Sequence, residues 1–288
     1  MNRKQFLSAI PIMIASTNQF FNEVSAMANT PLMPAFFIGH GSPMNAVSDN
    51  QFTRDLAAAT KNLPVPTAIM VVSAHWLTNG TFVSTSRFPK TIYDFGGFPD
   101  ELYKVKYEPA GSPGFALQAK KLLEQSHAKE DDAMGLDHGA WSILRHMYAK
   151  ADIPVFQLSI DAGKPAAYHY DLISQLAPLR KKGLMIIGSG NIVHNLGILN
   201  WQNPNAAPYD WSLEFDEYVK KNLNDHNHQA LIDYVKAGKA AQLAVPTNDH
   251  YLPLMYILGL QQKNEGLKFI HHSFDLGSIS MRSFILQS

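Results

Sequence analysis

Four short apolar runs recur along the chain, and each ends close to a Gly, Ser or His. They occupy 35–38, 68–72, 155–158 and 184–187. Continuous runs of this length are typical of strands that are covered on both faces. Stretches with helical periodicity separate them, at about 50–61, 113–127, 139–150, 165–181, 209–223 and 249–260. This alternation predicts an α/β fold with a mainly parallel central sheet flanked by helices.

The C-terminal tail follows a different pattern. Residues 269–275 and 278–286 have the composition of two strands, and Gly277 lies between them. The pattern predicts an antiparallel strand pair added at one edge of the sheet. The whole region from 31 to 288 is therefore predicted to be a single domain.

The first thirty residues stand apart from this domain. Arg3 and Lys4 precede an apolar run over 6–15, and Ala26-Met27-Ala28 resembles a small-residue cleavage site. A secretory signal peptide has this arrangement, whereas the proline inside the run favours a segment that packs on the domain. Both readings stay open, so a periplasmic and a cytoplasmic location are both compatible with residues 1–30. The run is too short to span a bilayer comfortably, and no membrane association is expected.

Composition limits the chemistry. The 288 residues include 24 basic and 24 acidic side chains without a basic block, which does not support nucleic-acid binding. The chain contains no cysteine, so thiolate zinc sites, iron–sulfur clusters and cysteine nucleophiles are excluded. A metal would have to be held by oxygen ligands or by some of the twelve histidines. The oligomeric state cannot be read from these features.

Three histidines lie just beyond predicted strands. His40 follows the first run, His75 follows the second, and His194 lies a few residues past the fourth. Ligands of open α/β sheets bind at the carboxyl ends of the strands, and imidazole is a good ligand for zinc and ferrous iron. A single histidine at such a place is usually a hydrogen-bonded loop residue. Three at equivalent positions predict a metal site.

Two further histidines are ambiguous on pattern alone. His250 begins a helix after Asn248 and Asp249, and the favoured interpretation is a helix cap with His250 exposed. His138 follows Asp137, which could orient it as a general acid or base. Asp137 could equally be the N-cap of the next helix, and the two roles are compatible.

Six motifs occur in an order that resembles the class III extradiol ring-cleavage dioxygenases, and specifically the 4,5-DOPA dioxygenase extradiol subfamily. The resemblance covers about residues 33–286 and omits the signal-like segment. The motifs occupy 39–45, 72–76, 93–99, 136–139, 188–196 and 250–254.

The resemblance implies one catalytic domain with a single non-haem metal, Fe(II) for catalysis or Zn(II) as bound. It implies that His40, His75, His194 and His250 are ligand-type histidines. The wider family commonly uses two His and one Glu, so His250 departs from its pattern. His194 also matches the family's acid/base position, which leaves it between ligand and proton shuttle. His138 resembles an active-site histidine that contacts the substrate.

The implied chemistry suits these residue types. A catechol would bind the metal through two oxygens while O₂ takes a third position, which three neutral protein ligands permit. His194 or His138 could remove a phenolic proton. Phe95, Phe98 and Trp76 could form a dry aromatic pocket for the substrate, with ordinary core packing as an equal alternative. A zinc-dependent hydrolase on the same histidines, or a non-catalytic metal-binding member of the fold, are the other candidates.

Overall fold

A computed structural model describes Val24 and the residues 27–203 and 206–288. The possible signal peptide therefore lies largely outside the described residues and stays a prediction. Within the described ranges, no helix has both the length and the apolar character that crossing a bilayer requires.

The described residues form strands and helices in the alternating order that the sequence predicts. The strands are β1 (Ala35–Gly39), β2 (Ala68–Ser73), β3 (Leu77–Thr78), β4 (Phe82–Ser84), β5 (Lys129–Asp131), β6 (Val155–Gln157), β7 (Ile160–Asp161), β8 (Leu184–Gly190), β9 (Gly266–His271), β10 (Phe274–Asp275), β11 (Ile279–Ser280) and β12 (Ser283–Gln287). The helices are α1 (Gln51–Ala59), α2 (Pro113–Leu122), α3 (His138–Met147), α4 (Ala166–Ser174), α5 (Asp210–Asn224), α6 (His228–Ile232), α7 (Lys239–Ala244) and α8 (Leu252–Leu258). Short 3-10 turns occupy Pro43–Ala46, Leu102–Lys104, Glu124–Ser126, Ala177–Lys182, Leu196–Ile198 and Tyr234–Ala237.

Six strands form the central sheet in the order β6-β2-β8-β1-β12-β9. The pairs β6–β2, β2–β8 and β8–β1 are parallel, whereas β12 runs antiparallel to both β1 and β9. The predicted α/β class and the C-terminal strand pair at one edge are confirmed. Each predicted tail strand is interrupted, so the inner pieces β10 and β11 pair with each other around Gly277, whose φ is 75°.

Strand side chains alternate between two separate cores because successive residues point to opposite faces of a sheet. Phe36 and Ile38 of β1 pack in one core with residues of α1 and α3. Phe37 packs in the other core with residues of α2, α4, α5 and α8. Helices cover both faces, which explains why the central strands are continuously apolar rather than alternating.

Most of the observed helices are shorter than the patterns predict, whereas α5 has the predicted length. The expected helix at 165–181 ends at Ser174, and a 3-10 turn containing Pro178 follows it. Proline has no N–H to donate and cannot continue the helix. The sequence pattern missed α6 and α7, because five or six residues are too few to show a helical period.

A buried ion pair connects the 3-10 turn Ala177–Lys182 to the central sheet. Arg180 and Glu265 are both fully buried and form a paired contact, with Arg180 Nη1 donating to Glu265 Oε2 at 2.9 Å. Arg180 also donates through Nε to the carbonyl of Met33, just before β1, at 2.8 Å. The pair therefore links the turn before β8, the entry to β1 and the loop before β9.

We expect Glu265→Gln to lower the free energy of unfolding by about 3–5 kcal/mol, because it leaves the Arg180 charge buried without its partner. Urea unfolding followed by circular dichroism measures the change. The matched control is Glu130→Gln, which removes an exposed partner of Lys120 and should cost no more than about 1 kcal/mol. Equal effects of the two substitutions would contradict the structural role given to the buried pair.

Candidate active site

The candidate site lies where the parallel strands end. His40 directly follows β1, His75 lies two residues past β2, and His194 lies four residues past β8. His138 is the first residue of α3, and His250 precedes α8 by two residues. All five imidazoles line one cavity at the carboxyl end of the sheet. This is the edge of the sheet at which the topological rule for open α/β sheets predicts a ligand site.

Two glycines allow these segments to approach closely. A Cβ on Gly190 would lie 2.1 Å from the carbonyl oxygen of His250, and that same oxygen accepts a hydrogen bond from Asn191 N–H at 2.8 Å. A Cβ on Gly139 would lie 2.4 Å from Ser73 Oγ. Any larger residue would push the His250 loop away from β8, or α3 away from β2.

Three of the five histidines form a ligand group. His40, His75 and His250 each offer a ring nitrogen, and these nitrogens lie within 4.8 Å of one another. The Nε2 atoms of His40 and His75 are only 3.0 Å apart. Two imidazole lone pairs facing each other at this distance repel unless a cation or a proton lies between them. The donor set therefore fits one divalent metal ion of the zinc or ferrous type.

The hydrogen bonds of Ser189 determine which His40 nitrogen carries the proton. Ser189 Oγ donates to the carbonyl of Gly139 at 2.6 Å, and a carbonyl can only accept. The hydroxyl has one proton, so at its 2.9 Å contact with His40 Nδ1 it must accept. His40 is consequently protonated on Nδ1, and its Nε2 lone pair is free for a metal.

Two carboxylates lie beside the Nδ1 atoms of three further rings. Asp249 Oδ2 contacts Nδ1 of His250. Asp94 Oδ2 lies 3.5 Å from Nδ1 of His75 and 2.8 Å from Nδ1 of His138. The backbone N–H of His138 donates to Asp94 Oδ1 at 2.8 Å. Burial raises the pKa of Asp94, but the hydrogen bonds and charge of His138 outweigh it and the pKa falls below its usual value. Asp94 is thus an anion that favours Nδ1–H on both rings.

His40, His75 and His194 are held in their neutral form. Burial, reinforced by the neighbouring imidazoles, lowers the pKa of His40 well below its usual value and that of His75 to about 2. The same causes lower the pKa of His194 to about 3. Several positive charges cannot be accommodated within a few ångströms in a buried site. Neutral imidazole is also the form that binds a metal.

His194 lies beside the ligand group rather than in it. Its ring stacks on that of His250, with centroids 3.5 Å apart and planes within 9°. It belongs to a separate cluster with Asp249 and His250. His138 lies on the other side, its ring centroid 3.8 Å from that of His75. The structure therefore brings all five predicted histidines together, with three grouped and two flanking.

The pattern-based interpretation of His250 was wrong. No side chain caps α8, and Asp249 contacts the imidazole instead. His250 itself is only 7% exposed. Its position depends on the backbone contact with the end of β8, more than fifty residues away, which leaves no trace in local sequence.

Of the two roles left open for Asp137, the structure shows only the helix cap. Asp137 is the N-cap of α3, as predicted, and accepts from Ala140 N–H at 3.2 Å. The carboxylate that orients His138 is Asp94, which lies 44 positions earlier in the chain. The only sequence signal for it was its place in the aromatic segment at 93–99. Sequence reasoning did not single out Ser189 as a partner of His40 either.

The cavity above the histidines has a volume of about 380 Å³, which suits a small molecule. Phe95 and Phe98 line it as predicted, and the Phe95 ring packs edge-on against His138 with centroids 5.5 Å apart. Trp76 does not line it, and the prediction of a pocket role for this residue is not supported. Trp76 is 6% exposed, which agrees with the core-packing alternative for this residue.

Comparison with known proteins agrees with this geometry. Residues 33–284 match the family described as the catalytic LigB subunit of aromatic ring-opening dioxygenase. A 4,5-DOPA dioxygenase extradiol of Escherichia coli K12 is 45% identical over 255 residues, which cover 87% of this chain and 93% of that protein. A Beta vulgaris protein of the same name is 37% identical over 86% of this chain and 94% of its own length.

A solved structure extends the likeness to three dimensions. The crystal structure of an uncharacterised Escherichia coli K12 protein superposes with a TM-score of 0.78 at 41% sequence identity, covering 88% of this chain and all of that one. The sequence match and the shared fold lead to one assignment. The chain belongs to the family of the catalytic LigB subunit of aromatic ring-opening dioxygenases and is an extradiol-type, oxygen-incorporating enzyme.

Proposed function

We propose that this enzyme opens the ring of a catechol with O₂, using a metal held by His40, His75 and His250. The observation that carries the proposal is the group of three imidazoles at the base of an apolar cavity, with two more imidazoles beside it. Three neutral ligands leave several coordination positions open, as a substrate with two oxygens and a dioxygen molecule require.

Fe(II) is the ion we propose for catalysis, with Zn(II) as an ion that the same ligands accept. When bound, the ion would supply a site for both catechol oxygens and for O₂, and the redox chemistry that ring opening needs. The protein supplies the ligand nitrogens in fixed tautomers, through Ser189 behind His40, Asp94 behind His75 and Asp249 behind His250.

The proton chemistry falls to the two flanking imidazoles. Nδ1 of His138 is engaged by Asp94, so Nε2 is the atom that can take a phenolic proton. The carboxylate stabilises the imidazolium that forms, as in other His–Asp pairs. His194 lies outside the ligand group and is proposed as the second acid/base residue, which assigns it to proton transfer rather than to metal binding.

The cavity walls keep this chemistry dry. Phe95 and Phe98 form one side, and they hold each other edge-to-face with centroids 5.3 Å apart. A dry site strengthens the charge interactions of the catechol with its surroundings and protects reactive species from water.

The defining test is turnover. We expect protein loaded anaerobically with Fe(II) to consume O₂ and form a yellow ring-opened product when catechols are added under air. Oxygen uptake and absorbance are measured together, and Zn(II)-loaded protein is the control that should show neither. Lack of oxygen uptake across a catechol panel would overturn the proposal. Hydrolytic activity with Zn(II) that needs no O₂ would support the zinc-dependent hydrolase. Metal binding without any turnover would support a non-catalytic binding protein.

Metal content should separate the ligands from the proton-transfer residues. We expect His40→Ala, His75→Ala and His250→Ala to lose bound metal, because each removes one of only three protein ligands. His194→Ala should keep about one ion per chain and lose about 10²–10⁴-fold in kcat, the usual contribution of a general acid or base. Elemental analysis and oxygen uptake measure the two effects. Loss of the ion from His194→Ala would make His194 a ligand.

Asp94→Asn should reduce kcat by about 10²-fold, because an amide cannot accept from both the backbone N–H and Nδ1 of His138. The amide either loses one of these contacts or forces the ring proton of His138 onto Nε2. A proton on Nε2 prevents that atom from accepting one from the substrate. Long-range ¹H–¹⁵N spectra of the histidine rings report the tautomer. The matched control is Asp55→Asn, which alters a similar His–Asp pair with His271 away from the cavity. A normal His138 tautomer with full activity would contradict the role of Asp94.

A further inference from the structure

We infer that Leu276 is a substrate-binding residue, whose hydrocarbon side chain packs against the ring of the bound catechol. This side chain suits the cavity and does not suit the turn that carries it. The inference rests on the proposed function and adds a substrate contact to the same site.

The backbone position of Leu276 is unusual for a leucine. The residue lies in the turn between β10 and β11 with a φ of 53°, and Gly277 beside it has a φ of 75°. The backbone N–H of Ser278 donates to the carbonyl of Asp275 at 3.3 Å and closes the turn. Two successive positive φ angles inside such a turn are the pattern of type I′, which favours Asn-Gly, Asp-Gly or Gly-Gly. Leucine at the first position goes against this local preference.

Other residues in the same conformation do not share this conflict. Among the described residues that are not glycine, His127, Ala151 and His226 also have a positive φ, and none of the three lines the cavity. Histidine is one of the residue types enriched in this conformation, and alanine has no side chain beyond Cβ. A bulky hydrocarbon side chain is uncommon there. Leu276 is therefore the residue at which the turn and its side chain disagree.

The hydrogen bonds of the turn do not require a leucine. The carbonyl of Leu276 accepts from Asn200 N–H at 2.9 Å, and that of Gly277 accepts from Tyr209 N–H at 3.0 Å. These contacts connect the turn to the segment after His194, and they use backbone atoms alone. Asparagine or glycine would allow the same contacts with less strain. The reason for a leucine must therefore lie in its side chain.

The place of that side chain supplies the reason. Leu276 is half-buried and lines the cavity together with Ile279 of the same hairpin. Ile279 forms a β-bridge with His194, and Ser280 N–H donates to the carbonyl of Val193 at 3.0 Å. The hairpin is thereby fixed beside a residue that we propose for proton transfer. Strained residues that persist in native structures cluster at ligand-binding and active sites.

An apolar wall of this kind acts on binding more than on chemistry. The catechol oxygens lie at one edge of the ring, and the remainder of the ring is apolar surface that Leu276 can remove from water. This contact is as strong in the bound substrate as in the transition state, because the bonds that change involve the metal end of the ring. Loss of the contact should therefore raise KM and leave kcat nearly unchanged.

Leu276→Asn and Leu276→Gly test the inference, because both substitutions suit the turn and remove the hydrocarbon wall. We expect each to raise KM of the Fe(II) enzyme for 4-methylcatechol about tenfold, with kcat within about twofold of the wild-type value. Tm should stay the same or rise, since the turn is relieved of strain. Leu276→Met restores an apolar side chain and should return KM to within about twofold of wild type. Oxygen uptake and thermal unfolding followed by circular dichroism give these quantities.

The matched control is His127→Asn. His127 has the same φ of 53°, and it is exposed at the end of the 3-10 turn Glu124–Ser126. The substitution places the same residue type in the same backbone conformation outside the cavity. It should leave both KM and kcat unchanged.

Equilibrium binding separates this inference from the proposed reaction. Zn(II)-loaded protein is titrated with 4-methylcatechol, and Kd should rise about tenfold in Leu276→Asn, as KM does. If the wild-type protein binds the catechol with this difference but the Fe(II) form consumes no O₂, the proposed reaction fails and the role of Leu276 stands.

Three results would overturn the inference. Unchanged KM and Kd in Leu276→Asn and Leu276→Gly, with or without a fall in Tm, would mean that the side chain only packs within the protein. A rise in KM that Leu276→Met does not reverse would indicate general damage to the site. Failure of the wild-type Zn(II) protein to bind 4-methylcatechol would remove both the contact and the proposed substrate class.

Discussion

Packing five imidazoles at the end of one sheet imposes the constraint on which the rest of the site depends. Rings this close cannot all be charged, and a ring that binds a metal or accepts a proton must direct a chosen nitrogen into the cavity. Ser189, Asp94 and Asp249 meet this need from behind, each by contacting an Nδ1 atom. Without them a ring could turn N–H toward the cavity, where it could neither bind a metal nor accept a proton.

The same constraint explains why so many distant segments converge. Imidazole side chains are short, so their backbones must lie close together. The parallel strands β1, β2 and β8 bring three of them to one edge, and the glycine at the end of β8 lets the His250 loop lie against it. A sheet built with helices on both faces provides a rigid base for ligands that must be held within fractions of an ångström.

The C-terminal strands close the cavity from the side. The hairpin of β10 and β11 supplies Leu276 and Ile279 to its wall. A buried pair anchors this hairpin to α5, with Arg282 Nε donating to Asp216 Oδ2 at 3.0 Å and Ser280 Oγ donating to Asp216 Oδ1 at 2.6 Å. The tail is therefore part of the active site as well as an edge of the sheet. It helps to make a cavity that is polar at its base and apolar along its walls.

The sequence by itself determined the α/β class, the central strands, the C-terminal strand pair and the place of the site, because hydrophobic periodicity and strand ends are local features. Motif order also indicated the family. Tertiary structure alone decided that His250 groups with His40 and His75, that Asp94 rather than Asp137 holds His138, and that Trp76 is buried outside the cavity wall. These outcomes depend on contacts between distant segments, such as His40 with Ser189 across 149 positions. Such contacts leave no periodicity along the chain, since only the packing of the sheet brings their partners together.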